Sequence, residues 1–281
     1  MTSEVTNTEG AFDGANGLRL YRQSWLPEGS PRAALIIVHG YAEHSERYTW
    51  VGTQLAEAGI AVHAYDLRGH GYSEGPRVLV KSFNEHLDDL SLFLEAVREE
   101  SGDVPLFMLG HSMGGCIAAL YAAVRQPEIA GLILSGPAVK MPGRALRVVG
   151  KVMGVVARVR PGLGVRTLSA SAVSRDSEVV EKYELDPQVY RGKIPAATVA
   201  AMGRAIPRID LDAHQIRMPV LFIHGTADEL CDVAGSQHLY EHISSSDKTL
   251  KLYEGLYHEV LNEPEKETVL GDVRAWLEAR I

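Results

Sequence analysis

The sequence predicts a doubly wound α/β protein: a mostly parallel central sheet flanked by helices, with a helical insertion between two late strands. Three observations carry this. Short apolar runs alternate with helix-length segments from residue 33 to residue 139, the pattern of strands covered on both faces and joined by crossover helices. The alternation lapses from Lys140 to Pro207, where no strand pattern stands out. It resumes at Val220 and continues towards residue 281. A chain of this length buries about three quarters of its unfolded surface and needs no covalent staples.

The elements follow in order. Ala11 to Trp25 holds Gly14, Asn16 and Gly17 between short alternating stretches and reads as an antiparallel hairpin at the sheet edge. Strands are expected at Ala33 to Val38, Gly59 to Tyr65, Leu106 to Leu109 and Gly131 to Leu134, each stopping at Gly, Asp or Ser. Helices are expected between them, at Tyr48 to Ala58, Phe83 to Glu100 and Ser112 to Arg125. Two further strands, Val220 to Ile223 and Thr249 to Tyr253, precede a last helix from about Glu265 to Arg280. Residues 139–213 are therefore a cap or lid inserted into a core formed by 1–138 and 214–281.

Charge and cysteine content narrow the function. The balance of 28 basic and 36 acidic residues leaves a net charge of -8, which argues against a nucleic-acid partner. Cys116 and Cys231 cannot build a disulfide framework, and no Cys/His cluster has zinc spacing, so no metal site is expected. The first 18 residues carry no Lys or Arg, and no 18-residue apolar run occurs. Thr2 rules out a myristoylation motif, and Glu-Ala-Arg-Ile is no prenylation box. A cytoplasmic protein in a reducing compartment is expected.

The strongest chemical signal is Gly110-His111-Ser112-Met113-Gly114-Gly115, a G-x-S-x-G string between a strand and a helix. A serine on so tight a turn stands exposed at the sheet's carboxyl end, and its neighbours must be Gly because larger side chains would collide. The helix beginning at Met113 aims its free N–H groups at the place where negative charge develops. A glycine-rich turn that merely contains Ser would not need the strand in front and the helix behind.

A serine hydroxyl needs a base, and in this arrangement the chain order is Ser, acid, His. Five histidines follow Ser112. His258 lies in a loop after the Thr249 to Tyr253 strand, where the base belongs. His224 ends a strand and reads as packed or hydrogen-bonded there. His238 and His242 are four apart on a helix without an HExxH glutamate, and read as a solvated face. Asp228 follows the Val220 strand and precedes His258 by 30 residues, so it is the acid that would fix the imidazole tautomer; Asp232 is the fallback. Asp66 precedes Ser112 and reads as a turn residue. The oxyanion hole needs two N–H donors: Met113, after the nucleophile, and Tyr41, in the loop after the first long strand. His39 reads as a buried orienting group.

With these residues the sequence resembles the monoacylglycerol lipases of the α/β-hydrolase fold. The matching residues are His39-Gly40-Tyr41-Ala42-Glu43-His44 with Arg47-Tyr48, Asp66 to Gly75, the Ser112 elbow, Ser174-Arg175-Asp176 with Tyr183 and Asp186-Pro187, and Tyr253 to His258. The resemblance implies cofactor-independent hydrolysis of a monoacylglycerol to glycerol and a fatty acid. It supports the Ser112, Asp228 and His258 triad with Tyr41 and Met113 as donors. It also implies that Glu43 and Arg47 build a polar pocket floor near the glycerol and that Tyr183 faces it; a buried ion pair and a packed aromatic are the plainer reading of the same residues. Two departures stand out. Ala42 occupies a position where Gly is common, and Tyr41 is bulky for the oxyanion position.

Arg144, Arg147, Lys151 and Arg158 fall on one helical face, opposite Leu146, Val149, Met153 and Val156. Such an element suits an anionic lipid surface, making peripheral membrane contact a second expectation, or else packs on the core with its basic face solvated. Oligomerisation is left open. Cys231, three residues past Asp228, is expected near the triad, and Cys116 in the core. A carboxylesterase, lysophospholipase, thioesterase or perhydrolase would use the same triad, and a non-catalytic lipid-binding protein would have no need of it.

Overall fold

The computed structural model describes residues 4–140 and 153–281. Eight strands form one sheet: β1 (Thr6–Asp13), β2 (Arg19–Leu26), β3 (Ala33–Val38), β4 (Ile60–Tyr65), β5 (Leu106–His111), β6 (Gly131–Ser135), β7 (Val220–Gly225) and β8 (Lys248–Tyr253). Their spatial order is β1-β2-β4-β3-β5-β6-β7-β8. β1 and β2 are antiparallel, as are β2 and β4, and the remaining pairs are parallel.

The strand patterns are explained by what covers them. Along β3, Ala34, Ile36 and Val38 enter one core cluster, whereas Ala33, Leu35 and Ile37 enter the other. The first cluster is closed by α2 (Phe83–Ser101), α3 (Met113–Arg125) and α6 (Ala196–Asp212), the second by α1 (Thr49–Glu57) and α8 (Lys266–Glu278). With both faces covered, a strand has no reason to alternate. β1 differs: Thr6 to Gly10 is exposed at the sheet edge, so it carries no apolar signal and begins before the Ala11 stretch. The β1–β2 turn uses Asn16 and Gly17 at φ 63° and 72°, a left-handed conformation those residues tolerate.

Between β6 and β7 the chain leaves the sheet. Helical residues 153–159 (α4), α5 (Ser177–Leu185) and α6 lie in this insertion. α6 also joins the sheet's own packing, since Ala201, Ala205, Ile206 and Ile209 belong to the α2–α3 cluster. Arg144, Arg147 and Lys151 of the basic segment lie outside the described residues. A helix α7 (Val233–His242) connects β7 to β8. Loops leaving the carboxyl ends of β3, β5, β6, β7 and β8 therefore gather at one edge, where open parallel sheets bind ligands.

Candidate active site

Ser112 sits at this edge between β5 and α3 with φ 53° and ψ -117°. A non-glycine residue adopts this only where the surroundings impose it. Its N–H donates to the Ser135 carbonyl at 3.0 Å, and its carbonyl accepts from Cys116 and Ala138, both at 3.0 Å. The neighbouring glycines are sterically required. A Cβ on Gly114 would lie 2.1 Å from the Val38 carbonyl oxygen, and one on Gly110 would lie 2.6 Å from that of Gly114.

Asp228 and His258 come together from the loops after β7 and β8. His258 Nδ1 lies 2.7 Å from Asp228 Oδ2. The other carboxylate oxygen, Oδ1, accepts the N–H groups of Leu230 and Cys231 at 2.8 and 2.9 Å. Burial opposes ionisation of Asp228, but hydrogen bonds from His224 and His258 outweigh it and hold the carboxyl below its usual range. Burial likewise opposes an imidazolium at His258, yet Asp228 wins and raises its pKa above the ordinary value. The same site reaches Ser112: the His111 ring packs on His258 with centroids 4.7 Å apart. Gly136, at φ 48° beyond β6, leaves room there, since a Cβ on it would lie 3.3 Å from His258 Nδ1.

The loop after β3 closes the other side. A Cβ on Gly40 would stand 3.1 Å from Ser112 Cβ, so this backbone passes directly over the serine. His39 orients the loop: one ring nitrogen, Nδ1, meets the Gly40 carbonyl, and Nε2 accepts the Leu67 N–H, both at 2.8 Å. Burial drops its pKa to about 4, keeping it neutral. Among the described residues no protein acceptor takes the Tyr41 or Met113 N–H, and Met113, as the first residue of α3, has none within its helix. Ala42 is left-handed at φ 72°, the backbone reason that Gly suits the position.

Glu43 and Arg47 lie beneath this loop and face each other. Glu43 Oε1 accepts from the Gly40 N–H at 2.6 Å and from the Tyr48 hydroxyl at 3.0 Å, and Oε2 pairs with Arg47 at 2.9 Å. Arg47 also grips Glu259 through two hydrogen bonds of 2.6 and 2.7 Å. Tyr183, reaching in from α5, lays its ring 4.8 Å from the guanidinium carbon. Burial opposes the charges, but Arg47 holds Glu43 well below the usual carboxylate range.

Other residues singled out in the sequence stand apart or in support. Asp232 caps α7 by accepting the Ala234 N–H at 2.9 Å and pairs with Lys140, not with His258. Asp66 accepts the Ser45 and Tyr72 N–H groups in a turn. His238 and His242 stack at the surface with centroids 4.1 Å apart. His224 does more than fill the core: its Nε2 lies 3.1 Å from both Asp228 Oδ2 and the Cys231 carbonyl, so that nitrogen carries the proton and Nδ1 accepts from Ser236 at 2.8 Å. Cys231 is buried beside the Ser112 hydroxyl, and burial first, then Asp228, push its thiol pKa up, leaving it protonated. Cys116 is buried in the core, its thiol pushed up to about 12. Glu259 escaped the sequence reading, although it directly follows His258.

Among the described residues no cluster of three or more His, Cys, Asp or Glu is arranged to hold a metal ion, and no helix is long and apolar enough to cross a membrane. A hydroxyl on a strained elbow, an imidazole tied to an ionised carboxylate and two N–H groups with no protein acceptor among the described residues together suit acyl transfer through a covalent intermediate.

Comparison with known proteins agrees. Residues 29–265 match a family model described as serine aminopeptidase, S33. A monoacylglycerol lipase of Mycolicibacterium smegmatis is 40% identical over 275 residues, covering 97% of each chain. A monoglyceride lipase of Mus musculus is 35% identical over 270 residues, 95% of this chain and 89% of its own. The crystal structure of the Paleococcus ferrophilus monoacylglycerol lipase superposes with a TM-score of 0.82 at 31% identity, covering 93% of this chain and 99% of that one. The chain belongs to the monoacylglycerol lipase family of serine hydrolases, on the α/β-hydrolase fold.

Proposed function

We propose that this protein hydrolyses monoacylglycerols to glycerol and a fatty acid. The observation that carries the reading is the Asp228–His258 pair at 2.7 Å beside Ser112 on its φ 53° elbow; a cavity of about 1160 Å³ with a mixed apolar and charged lining lies against the insertion. Val139 lines one end of that cavity, one residue beyond Ala138, whose N–H holds the Ser112 carbonyl. Val155, Ala157, Ala197, Ala200 and Ile206 also line it, together with the charged Lys81, Lys140, Arg158, Arg204 and Asp210.

In this mechanism Ser112 Oγ attacks the ester carbonyl as His258 Nε2 takes its proton. Asp228 stabilises the imidazolium, and the N–H groups of Met113 and Tyr41 receive the developing oxyanion. Collapse breaks the ester bond; His258 returns the proton to the glycerol oxygen, which departs. Water, deprotonated by His258, then cleaves the acyl-Ser112 ester and releases the fatty acid. Glu43 and Arg47 form the polar floor on the glycerol side, roofed by Tyr183. Residues 139–213 serve as the cap that encloses the acyl chain.

The family description also names peptides. An aminopeptidase needs a carboxylate free to meet a substrate ammonium, whereas Glu43 and Glu259 are both engaged by Arg47, which favours the ester reading. Peripheral docking on anionic lipid is part of the proposal. Val155 and Val159 in α4 are 64% and 79% exposed beside Arg158 and Arg160; reversing Arg144, Arg147 and Lys151 should weaken binding to anionic vesicles.

The test compares initial rates on monooleoylglycerol, trioleoylglycerol, lysophosphatidylcholine and p-nitrophenyl butyrate, with Ser112→Ala as blank. The proposal requires a strong monoacylglycerol preference that disappears in the blank. Turnover of the butyrate alone would replace it with a general esterase.

A further inference from the structure

The insertion does more than border the cavity: residues 173–190 are fastened to both loops that carry the proposed chemistry. On one side the Glu259 N–H, next to His258, donates to the Val173 carbonyl at 2.8 Å. Ser174 Oγ donates to the Asn262 carbonyl at 3.1 Å, and Arg175 meets Glu263 through its N–H at 2.9 Å and its Nε at 2.6 Å. On the other side Asp186 Oδ2 lies 2.8 Å from His44 Nε2, and the Tyr190 N–H donates to the Ala42 carbonyl at 2.9 Å. The Tyr190 ring meets Tyr41 edge-on, with centroids 6.5 Å apart.

These contacts bracket the backbone that bears the Tyr41 N–H. Before it, His39 and the Gly40–Glu43 hydrogen bond at 2.6 Å belong to the core. After it comes Ala42, at φ 72°, a conformation an alanine leaves unless its surroundings hold it. Beside the core anchors of Glu43 and Ser45, the Tyr190 N–H takes the Ala42 carbonyl itself and Asp186 takes His44. Asp186 is itself fixed: Oδ1 accepts the Gln188 N–H at 2.8 Å, and its carbonyl accepts from Arg191 at 2.6 Å.

We propose that Asp186, through His44, and the Tyr190 N–H, through the Ala42 carbonyl, are positioning groups that aim the Tyr41 N–H into the oxyanion hole. The insertion thereby governs the rate of the chemical step as well as lipid capture. This rests on the assignment of Tyr41 and Met113 as the oxyanion donors. A misaimed donor costs up to about a hundredfold in rate, and that cost falls on every ester, including one too small to use the cavity.

The experiment measures kcat and KM on p-nitrophenyl acetate and monooleoylglycerol, and the affinity of phenylboronic acid, which forms a tetrahedral adduct on the serine. Asp186→Ala and Tyr190→Pro, which lacks the N–H, should lose about ten- to a hundredfold in kcat on both esters. KM for the acetate should stay within about threefold, and boronate affinity should fall in parallel with kcat. Tyr190→Ala, which keeps the N–H, should lose at least about fivefold less than Tyr190→Pro. Should the proline variant fail to fold, His44→Ala and His44→Gln decide, the glutamine recovering at least half of the lost rate by donating to Asp186. Losses confined to monooleoylglycerol, or to KM, would overturn the proposal, as would unchanged kinetics. If wild type turns over the acetate but no monoacylglycerol and the acetate arm still responds, the lipase reading falls and this one stands. Absence of any Ser112-dependent acetate turnover overturns both.

Discussion

Replacing Arg47 with Met keeps most of the apolar stem and removes one cation from between two buried carboxylates. The side chains of Arg47, Glu43 and Glu259 are only 11%, 4% and 7% exposed. Breaking a buried pair from one side costs about 3–5 kcal/mol, because the remaining charge stays uncompensated; here two charges remain. An unfolding entropy of about 2.1 cal/mol/K per residue over this chain converts that into a melting temperature lower by about 5–8 °C. The pH dependence carries the sharper test. In wild type Arg47 depresses the Glu43 pKa, so the stability it contributes is present above the unfolded carboxyl value of about 4.3 and lost as pH falls through the folded value. Without Arg47 the main opposition to burial is gone, and the folded pKa rises. The cost is then present at high pH and relieved as the carboxyl takes up a proton. The gap in melting temperature should narrow between pH 8 and pH 5, as scanning calorimetry of both proteins would reveal. Adding Glu43→Gln and Glu259→Gln should restore most of the loss at pH 8. A gap below about 2 °C, or one that stays constant with pH, would refute the reasoning.

Three further outcomes are expected. Asp228 raises the His258 pKa above its ordinary 6.5, so with His258 as the proposed base, activity is lost to its protonation as pH falls, and the acid limb of kcat/KM should lie above pH 6.5; Asp228→Asn should move that limb down and cut kcat by about 10⁴. Ala42→Gly relieves a left-handed Cβ worth about 1–2 kcal/mol against about 0.5–1 kcal/mol of added chain entropy; melting should rise by about 1–2 °C while kcat falls, and a rise in both would contradict the strained-loop account. His224→Phe removes a donor to Asp228 Oδ2; a charge-assisted hydrogen bond of about 1.5 kcal/mol is about tenfold in kcat, with KM for p-nitrophenyl butyrate unmoved, and steady-state kinetics would expose any effect limited to KM.

Legibility in the sequence followed sequence distance and burial. Ala33 to Val38 could be read as a strand because both of its faces are covered, which forces an unbroken apolar run. Thr6 to Gly10 could not, since an exposed edge strand imposes no composition. α6 was illegible for another reason: Gly203 and Pro207 interrupt its pattern, and packing of Ala201, Ala205, Ile206 and Ile209 beside α3 overrides them. The Ser112 elbow is local, so six consecutive residues announce it. The Arg47–Glu259 pair spans 212 positions and His44–Asp186 spans 142. Neither pairing has a local signal, because buried charges are specified by what the fold brings opposite them.

Strained backbone at the site is held by two different parts of the chain. Among the described residues the Ser112 backbone is fixed by core partners, the Ser135 carbonyl and the N–H groups of Cys116 and Ala138. The elbow, and with it the Met113 N–H, therefore keeps its shape for as long as the sheet does. Ala42 is held from the insertion, through Tyr190 and, beyond His44, Asp186. On the proposed assignment the two N–H groups depend on different contacts: those of the core for Met113, and those of the core together with 186–190 for Tyr41. On the proposed roles, loosening of 186–190 slows bond breaking without disturbing the nucleophile.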